Sequence, residues 1–432
     1  METATPLQPK PVPVPRKARG LLANLGPGLV TGASDDDPSG IGTYSQVGAQ
    51  FGLGLLWTML FSYPLMVSVQ LISGRIGRVT GRGLAVTLKQ QYPRGVVRTL
   101  VALLALANTI NIGADLSAMG AAVQLLVGGS PALSSALLGL GSMLLLVFVP
   151  YRRYVVVMKW LTLAVLAYVA TAFAVEVPWA EVLRATLWPR LAITPETITA
   201  VVAVLGTTIS PYLFFWQASQ EVEEQQAASD EQPLKQAPQQ ARRQFGRMGF
   251  DTAFGMAVSN GVAFFIILTT AVTLHAHGVQ HIDSAAQAAE ALKPVAGRFA
   301  FGLFALGLVG TGLLAVPVLA GSTGYAVADT LGWRSGLERR PPQAKGFYGV
   351  IAASVLLGIA MTFSPLNPIR ALFWTAVING VISVPILVFL MLIASRHRVM
   401  GRFVISLPLR LLGWLTTATM ALAVIAMAWT SV

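Results

Sequence analysis

Residues 30–44 read VTGASDDDPSGIGTY, and three adjacent carboxylates, Asp35, Asp36 and Asp37, stand there between apolar or small runs at Leu21–Val30 and Ile41–Leu56. Carboxylates are costly inside a bilayer and normally face a cavity, a cation or a charged partner. Pro38 follows them; it has no N–H and crowds the preceding turn, so a helix carried through this stretch breaks there. A broken helix frees carbonyl oxygens, and its first half ends in partial negative charge. One carboxylate with such carbonyls and nearby hydroxyls makes an oxygen-only site of the kind that hard divalent cations take. Asp37, beside the proline, is the expected anchor, with Asp35 and Asp36 lining the approach or pairing with neighbours. The same event recurs in VVAVLGTTISPYLFFWQASQ, where Pro211 sits mid-segment behind Thr207, Thr208 and Ser210. A plain polar loop at Asp35–Asp37 is disfavoured, because neither flanking apolar half is long enough to span a membrane by itself.

The elements that must position these residues follow from composition. Of 432 residues, 54% are hydrophobic and only 11% charged, against about 25% charged in soluble domains. Apolar runs of about 20 residues, the length that crosses a bilayer core, recur along the chain. The expected fold class is therefore an all-α polytopic membrane protein. Eleven spans are read near 22–50, 52–74, 97–127, 132–149, 154–176, 195–220, 250–274, 299–327, 347–364, 368–394 and 404–430, with Glu221 to Arg247 as the longest polar loop. WAEVLRATLW and DSAAQAAEALKPVAG read as outer amphipathic helices, and GLFALGLVGTG as a stretch for close helix packing.

The formal net charge of +12 does not indicate nucleic acid, because the basic residues are spread among short loops. With the N-terminus placed in the cytoplasm, the inner loops hold Arg75, Arg78, Arg82, Lys89, Arg94, Arg98, Arg152, Arg153, Arg242, Arg243, Arg247, Arg334, Arg339, Arg340 and others, while the outer loops keep mainly Arg184, Arg190, Lys293 and Arg298. That asymmetry orients the chain in the cytoplasmic (inner) membrane with the N-terminus inside. Residues 1–20, proline-rich and basic, read as a disordered cytoplasmic tail and not as a signal peptide. Without cysteine, disulfides and thiolate metal sites are excluded. Five spans begin with the broken span 1 and five more with the broken span 6. Paired interruptions of this kind point to a transport site at the bilayer midplane.

GPGLVTGASDDDPSGIGTYSQVGAQFGLGLLW resembles the first span of the Nramp divalent-metal transporters, whose signature there is Asp-Pro-Gly-Asn. LGTTISPYLFFW resembles their second signature, Met-Pro-His, with further echoes in ALANTINIGADLSA and SRHRVMGRF. The resemblance runs from about residue 22 to the end. It implies a LeuT-type fold: a single transport domain at 21–432, with inverted five-span repeats at about 21–176 and 195–394 and an extra span at 404–430. It also implies metal contacts from Asp37 and from the positions of Gly40, Thr207 (a backbone carbonyl) and Ser210.

The departures from the pattern matter as much as the match. Gly40 stands for the ligand asparagine, Ser210 for the methionine and Tyr212 for the histidine; Gln217 stands for a second histidine, and Ala118 for a glutamate of the family's proton route. Replacing a soft thioether with a hydroxyl removes the bias toward softer cations. A roomier all-oxygen site suits Mg2+, which sheds water reluctantly. Losing the histidines removes groups that shuttle protons near neutral pH; the four present, His275, His277, His281 and His397, fall in loops or near span ends.

The pattern resembles the Nramp-related magnesium transporters. The expectation is uncoupled movement of partly hydrated Mg2+, and also of Mn2+, by a protein that is not an enzyme. Its partners are then the ion and the lipid bilayer, with no cofactor, nucleic acid or obligate protein partner. Asp36, Asp115, Tyr212 and Asn379 are expected along the ion path or just behind it. For Asp115, with Asn108 and Asn111 a turn or two before it, a helix–helix hydrogen bond is the competing role. Glu221, Glu223 and Glu224 read equally as a cation-drawing vestibule or as a solvated helix end. The rival functions are a proton-coupled Mn2+ or Fe2+ importer, an ion channel and, more remotely, a membrane-embedded Mg2+-dependent enzyme.

Overall fold

The computed structural model describes residues 27–149, 163–189, 193–228 and 230–430. The tail at 1–20, Arg152, Arg153, Arg190 and the first part of the fifth expected span lie outside the described residues.

The long helices run in chain order as α1 (Pro27–Asp35), α2 (Pro38–Phe51), α3 (Trp57–Thr80), α4 (Leu84–Gln91), α5 (Arg94–Val127), α6 (Pro131–Phe148), α7 (Leu166–Ala174), α8 (Trp179–Leu187), α9 (Pro195–Thr208), α10 (Pro211–Ala227), α11 (Ala241–Thr273), α12 (Ala300–Leu331), α13 (Lys345–Met361), α14 (Pro368–Ala394) and α15 (Leu407–Thr430). Local chemistry sets their ends. Ser130, Thr194 and Asn367 cap α6, α9 and α14, each with proline in the first turn. Gly81 and Gly332 close α3 and α12 at φ 64° and 79°, where a side chain would be strained.

Among the described residues, eight helical segments are long and apolar enough to cross a bilayer, with α9 and α10 counted together as one. α13 is apolar but shorter. α8 turns through 119° from the segment ending in α7, in line with the amphipathic helix expected at WAEVLRATLW.

Both expected breaks are present. Asp36 and Asp37 separate α1 from α2, and Ile209 and Ser210 separate α9 from α10. Around them, α1 packs on α11 and α10 on α3, while α5 forms its widest contact with α12. Two helix crossings bring backbone onto backbone. A Cβ on Gly32 would lie 3.0 Å from Gly255 Cα across the α1–α11 contact, and one on Gly206 would lie 2.8 Å from Gly380 Cα between α9 and α14. Gly206→Val is therefore expected to cost about 1–3 kcal/mol, as overpacking usually does, and to lower the melting temperature in detergent.

Two expectations need correction. The polar stretch from Glu221 to Arg247 is mostly helical: α10 continues to Ala227 and α11 already begins at Ala241. Its glutamates and glutamines look loop-like in a hydropathy reading but are good helix formers. Likewise Arg78, counted above as an inner-loop charge, lies within α3 and is fully buried. Its partners explain this below.

Candidate metal site

Asp37 is first of all a helix cap. It has extended backbone (φ −68°, ψ 170°) and its Oδ1 accepts the Gly40 N–H at 2.7 Å, with Pro38 opening α2. Its other oxygen, Oδ2, accepts Asn111 Nδ2 from α5 at 2.9 Å. Asp115, one turn further along α5, accepts the Ser39 N–H through Oδ1 at 3.1 Å, and its Oδ2 lies 3.4 Å from the same Asn111 amide. The first N–H groups of α2 thus face two carboxylates, where the helix dipole favours negative charge. Asp37 is only 3% exposed and Asp115 is wholly buried. Their hydrogen-bond donors, Ser39, Gly40 and Asn111, are all neutral. No cationic side chain is among these partners, so charge on the pair would be left for a bound cation to balance.

The second break meets the first at Gly40. A Cβ there would sit 3.1 Å from the Asp35 carbonyl oxygen and 3.2 Å from the Thr207 side chain. Ser210 behaves unlike Asp37 because a hydroxyl can donate and a carboxylate cannot. It makes no forward cap; its Oγ turns back toward Gly206 O at 2.7 Å and Thr207 O at 2.8 Å. The carbonyls expected to be free at the end of α9 are thus engaged by Ser210, while Thr207 Oγ1 is buried without a hydrogen-bond partner. Tyr212 crosses from α10 to donate its OH to Ser34 O at 3.0 Å, covering a carbonyl in the last turn of α1. Asn379 is buried in α14 next to Gly380, the residue against Gly206, and its Oδ1 accepts no hydrogen bond. Asp35 and Asp36 turn away toward α11, where Ser259 Oγ is 2.8 Å from Asp35 Oδ2 and 3.2 Å from Asp36 Oδ1.

The structure therefore gathers Asp37, Gly40, Thr207, Ser210, Tyr212 and Asp115 at the two breaks, with Asp36 set aside on the α11 flank. In the sequence Asn111 stands out only as a neighbour of Asp115, yet it touches both carboxylates. Its spacing of four residues from Asp115, one helical face, was the available signal. Among the described residues, no group of three or more His, Asp or Glu side chains gathers as a metal cluster.

On the face that carries the start of α1, a polar chain closes the helix bundle. Thr31 donates to Gln217 Oε1 at 2.6 Å, Gln217 to Glu221 at 2.9 Å, and Arg78 Nε to Glu221 at 2.5 Å. Arg78 also pairs with Glu224 and, at 2.6 Å, with Glu231, and Arg247 reaches both of these. Glu221 is thus neither an open vestibule nor a solvated end. Asp251 of α11 holds the Gly28 N–H at 2.7 Å. At the opposite end of α2, a cavity of about 340 Å³ is lined by Gln46, Gln50, His281, Asp283 and Arg370 among others.

Comparison with known proteins gives this arrangement a context. The family described as "Nramp: Natural resistance-associated macrophage protein-like" matches residues 28–430. The chain is 27% identical over 407 residues to a divalent metal cation transporter, MntH, of Klebsiella pneumoniae (strain 342), covering 92% of this chain and 91% of that protein. Its fold is similar to that of a manganese transporter of Eremococcus coleocola (TM-score 0.72, 17% identity, 97% of this chain and 89% of the other). It is also similar to MhsT solved with L-phenylalanine (TM-score 0.59, 14% identity, 94% and 98%).

Proposed function

This chain belongs to the Nramp family, and from that premise we propose that it carries a divalent cation on Asp37, at the meeting point of its two broken helices. It is a multi-pass membrane protein of the LeuT-related fold and a secondary transporter of divalent metal cations, which answers the enzyme rival. The observation that carries the proposal is the buried Asp37 carboxylate, held by neutral donors beside Asp115, with Gly40 of the same break set against Thr207 of the second.

The donors at the breaks are carboxylate, amide, hydroxyl and phenol, which supports a cargo of hard cations. Our reading is that Mg2+ and Mn2+ both enter, partly hydrated, with Asp37 as anchor and with Gly40, Thr207 and Ser210 shaping the site. Ser210 releases the Thr207 carbonyl as the ion arrives. We read the chain as eleven spans in two inverted repeats plus one, with the N-terminus cytoplasmic. The matched contacts of α2 on α11 and of its counterpart α10 on α3 support the repeat. On that orientation the Arg78 network seals the cytoplasmic side.

A second reading, proton-coupled Mn2+ import, is favoured by what the relatives are named for, a divalent metal cation transporter and a manganese transporter. The Asp35–Ser259–Asp36 group adds carboxylates able to take a proton. On the relatives alone this second reading is the better supported; the donor chemistry is what favours the first. Flux into proteoliposomes with internal pH recorded separates the two. Saturable Mg2+ entry without acidification is the expected result of the first reading. Mn2+ entry with acidification and no Mg2+ entry would establish the second.

A further inference from the structure

Asn111 lies between Asp37 and Asp115 and donates to both through Nδ2, at 2.9 and 3.4 Å. Its Oδ1 is fully buried and accepts no hydrogen bond. Buried polar atoms nearly always have partners, and an amide oxygen has two lone pairs to offer. Exchanging the oxygen and nitrogen of the amide does not relieve this, because the oxygen would then face two carboxylates while the NH2 lost its acceptors. Thr207 Oγ1 and Asn379 Oδ1 are also unpartnered, but neither has a described hydrogen bond to the carboxylates. The chain, meanwhile, has glycine at position 40, and a side chain placed there would press on Asp35 O and Thr207. Residues 35–40 include no side-chain amide, so the first break offers none to a cation.

We propose that Asn111 supplies the amide oxygen of the cation site from α5; this rests on the reading that Asp37 anchors the ion. In the structure the NH2 end keeps Asp37 and Asp115 side by side. When a divalent cation takes its place between the carboxylates, the amide turns about its terminal torsion and the oxygen becomes a ligand. The same side chain therefore serves the carboxylates as a neutral donor and the cation as a neutral acceptor. A neutral hard oxygen in that position favours Mg2+ and Mn2+ over softer ions.

Calorimetric titration of the detergent-purified full chain with Mg2+ and with Mn2+ tests this. Asn111→Leu keeps the bulk and removes the oxygen; Asn111→Asp keeps an oxygen and removes the N–H. The expected result is affinity weakened about tenfold or more in Asn111→Leu and equal to wild type or tighter in Asn111→Asp. If both variants weaken alike, Asn111 only braces the carboxylates, and the inference is overturned. Unchanged affinity in Asn111→Leu overturns it as well. Should Asn111→Leu fail to elute as a single species, Asn111→Ala takes its place in the comparison. Asp37→Asn is run alongside: lost binding there with normal binding in Asn111→Leu refutes only the role of Asn111, whereas retained binding in Asp37→Asn refutes the anchor itself.

Discussion

Asp37→Asn is expected to lower apparent cation affinity about 100-fold or more while costing less stability than Asp37→Ala, because it keeps the cap on α2 and loses only the Asn111 contact, where two NH2 groups would meet. The two effects separate because Asp37 does two jobs with two oxygens. Oδ1 caps α2 through the Gly40 N–H, and asparagine caps a helix about as well as aspartate. The charge, which asparagine lacks, is what a dication needs in a buried site where Asp115 is the other carboxylate and the remaining groups are neutral. Asp37→Ala removes both functions and is expected to lose about 1 kcal/mol of stability in addition, the usual cost of a lost cap. Flux in proteoliposomes and melting in detergent, measured on the same preparations, check the pair. Full transport by Asp37→Asn would show that the ion binds elsewhere.

Arg78→Met is expected to destabilise the protein by about 3–5 kcal/mol, the range found when one partner of a buried ion pair is removed. Arg78 and Glu221 are both fully buried, so the arginine cannot be replaced by water. Glu224 and Glu231 keep Arg247 at 3.3 and 3.4 Å, but Glu221 is left with the Gln217 amide. The double variant Arg78→Met with Glu221→Gln removes the stranded charge and is expected to recover much of the loss. Melting curves of the two variants decide this: a double variant no better than the single would mean that Arg78 acts mainly through Glu224, Glu231 or its packing.

What could be read in the sequence depended on how local its cause was. The breaks at Asp37-Pro38 and Ser210-Pro211 were legible because a proline and polar neighbours interrupt an apolar run, and both events are local. The fate of Arg78 was not legible, because its burial depends on Glu221, 143 residues away in the chain. For the same reason the true end of α10 is hidden in the sequence: the residues EVEEQQA look solvated until Arg78 and Arg247 come against them. Within the site, residue types named the chemistry but not the directions. Ser210 promised room and an open carbonyl, whereas its hydroxyl faces back onto Gly206 and Thr207. For Asp115 the sequence leaves ion path and helix–helix contact open; in the structure it holds the start of α2 from α5.

The contact between α1 and α11 has a mechanical side. Gly28 and Gly32 set the two backbones against each other with no side chain between them, and Asp251 clasps the Gly28 N–H. Such a joint has no slack: parting it would strip packing along the half-helix and expose backbone with nothing to fill the gap. Against α3, by contrast, α1 is joined from Thr31 through the long, pivoting side chains of Gln217, Glu221 and Arg78. The half-helix is thus yoked to one neighbour and merely tethered to the other, so any hinge at this face turns α1 and α11 as one lever arm.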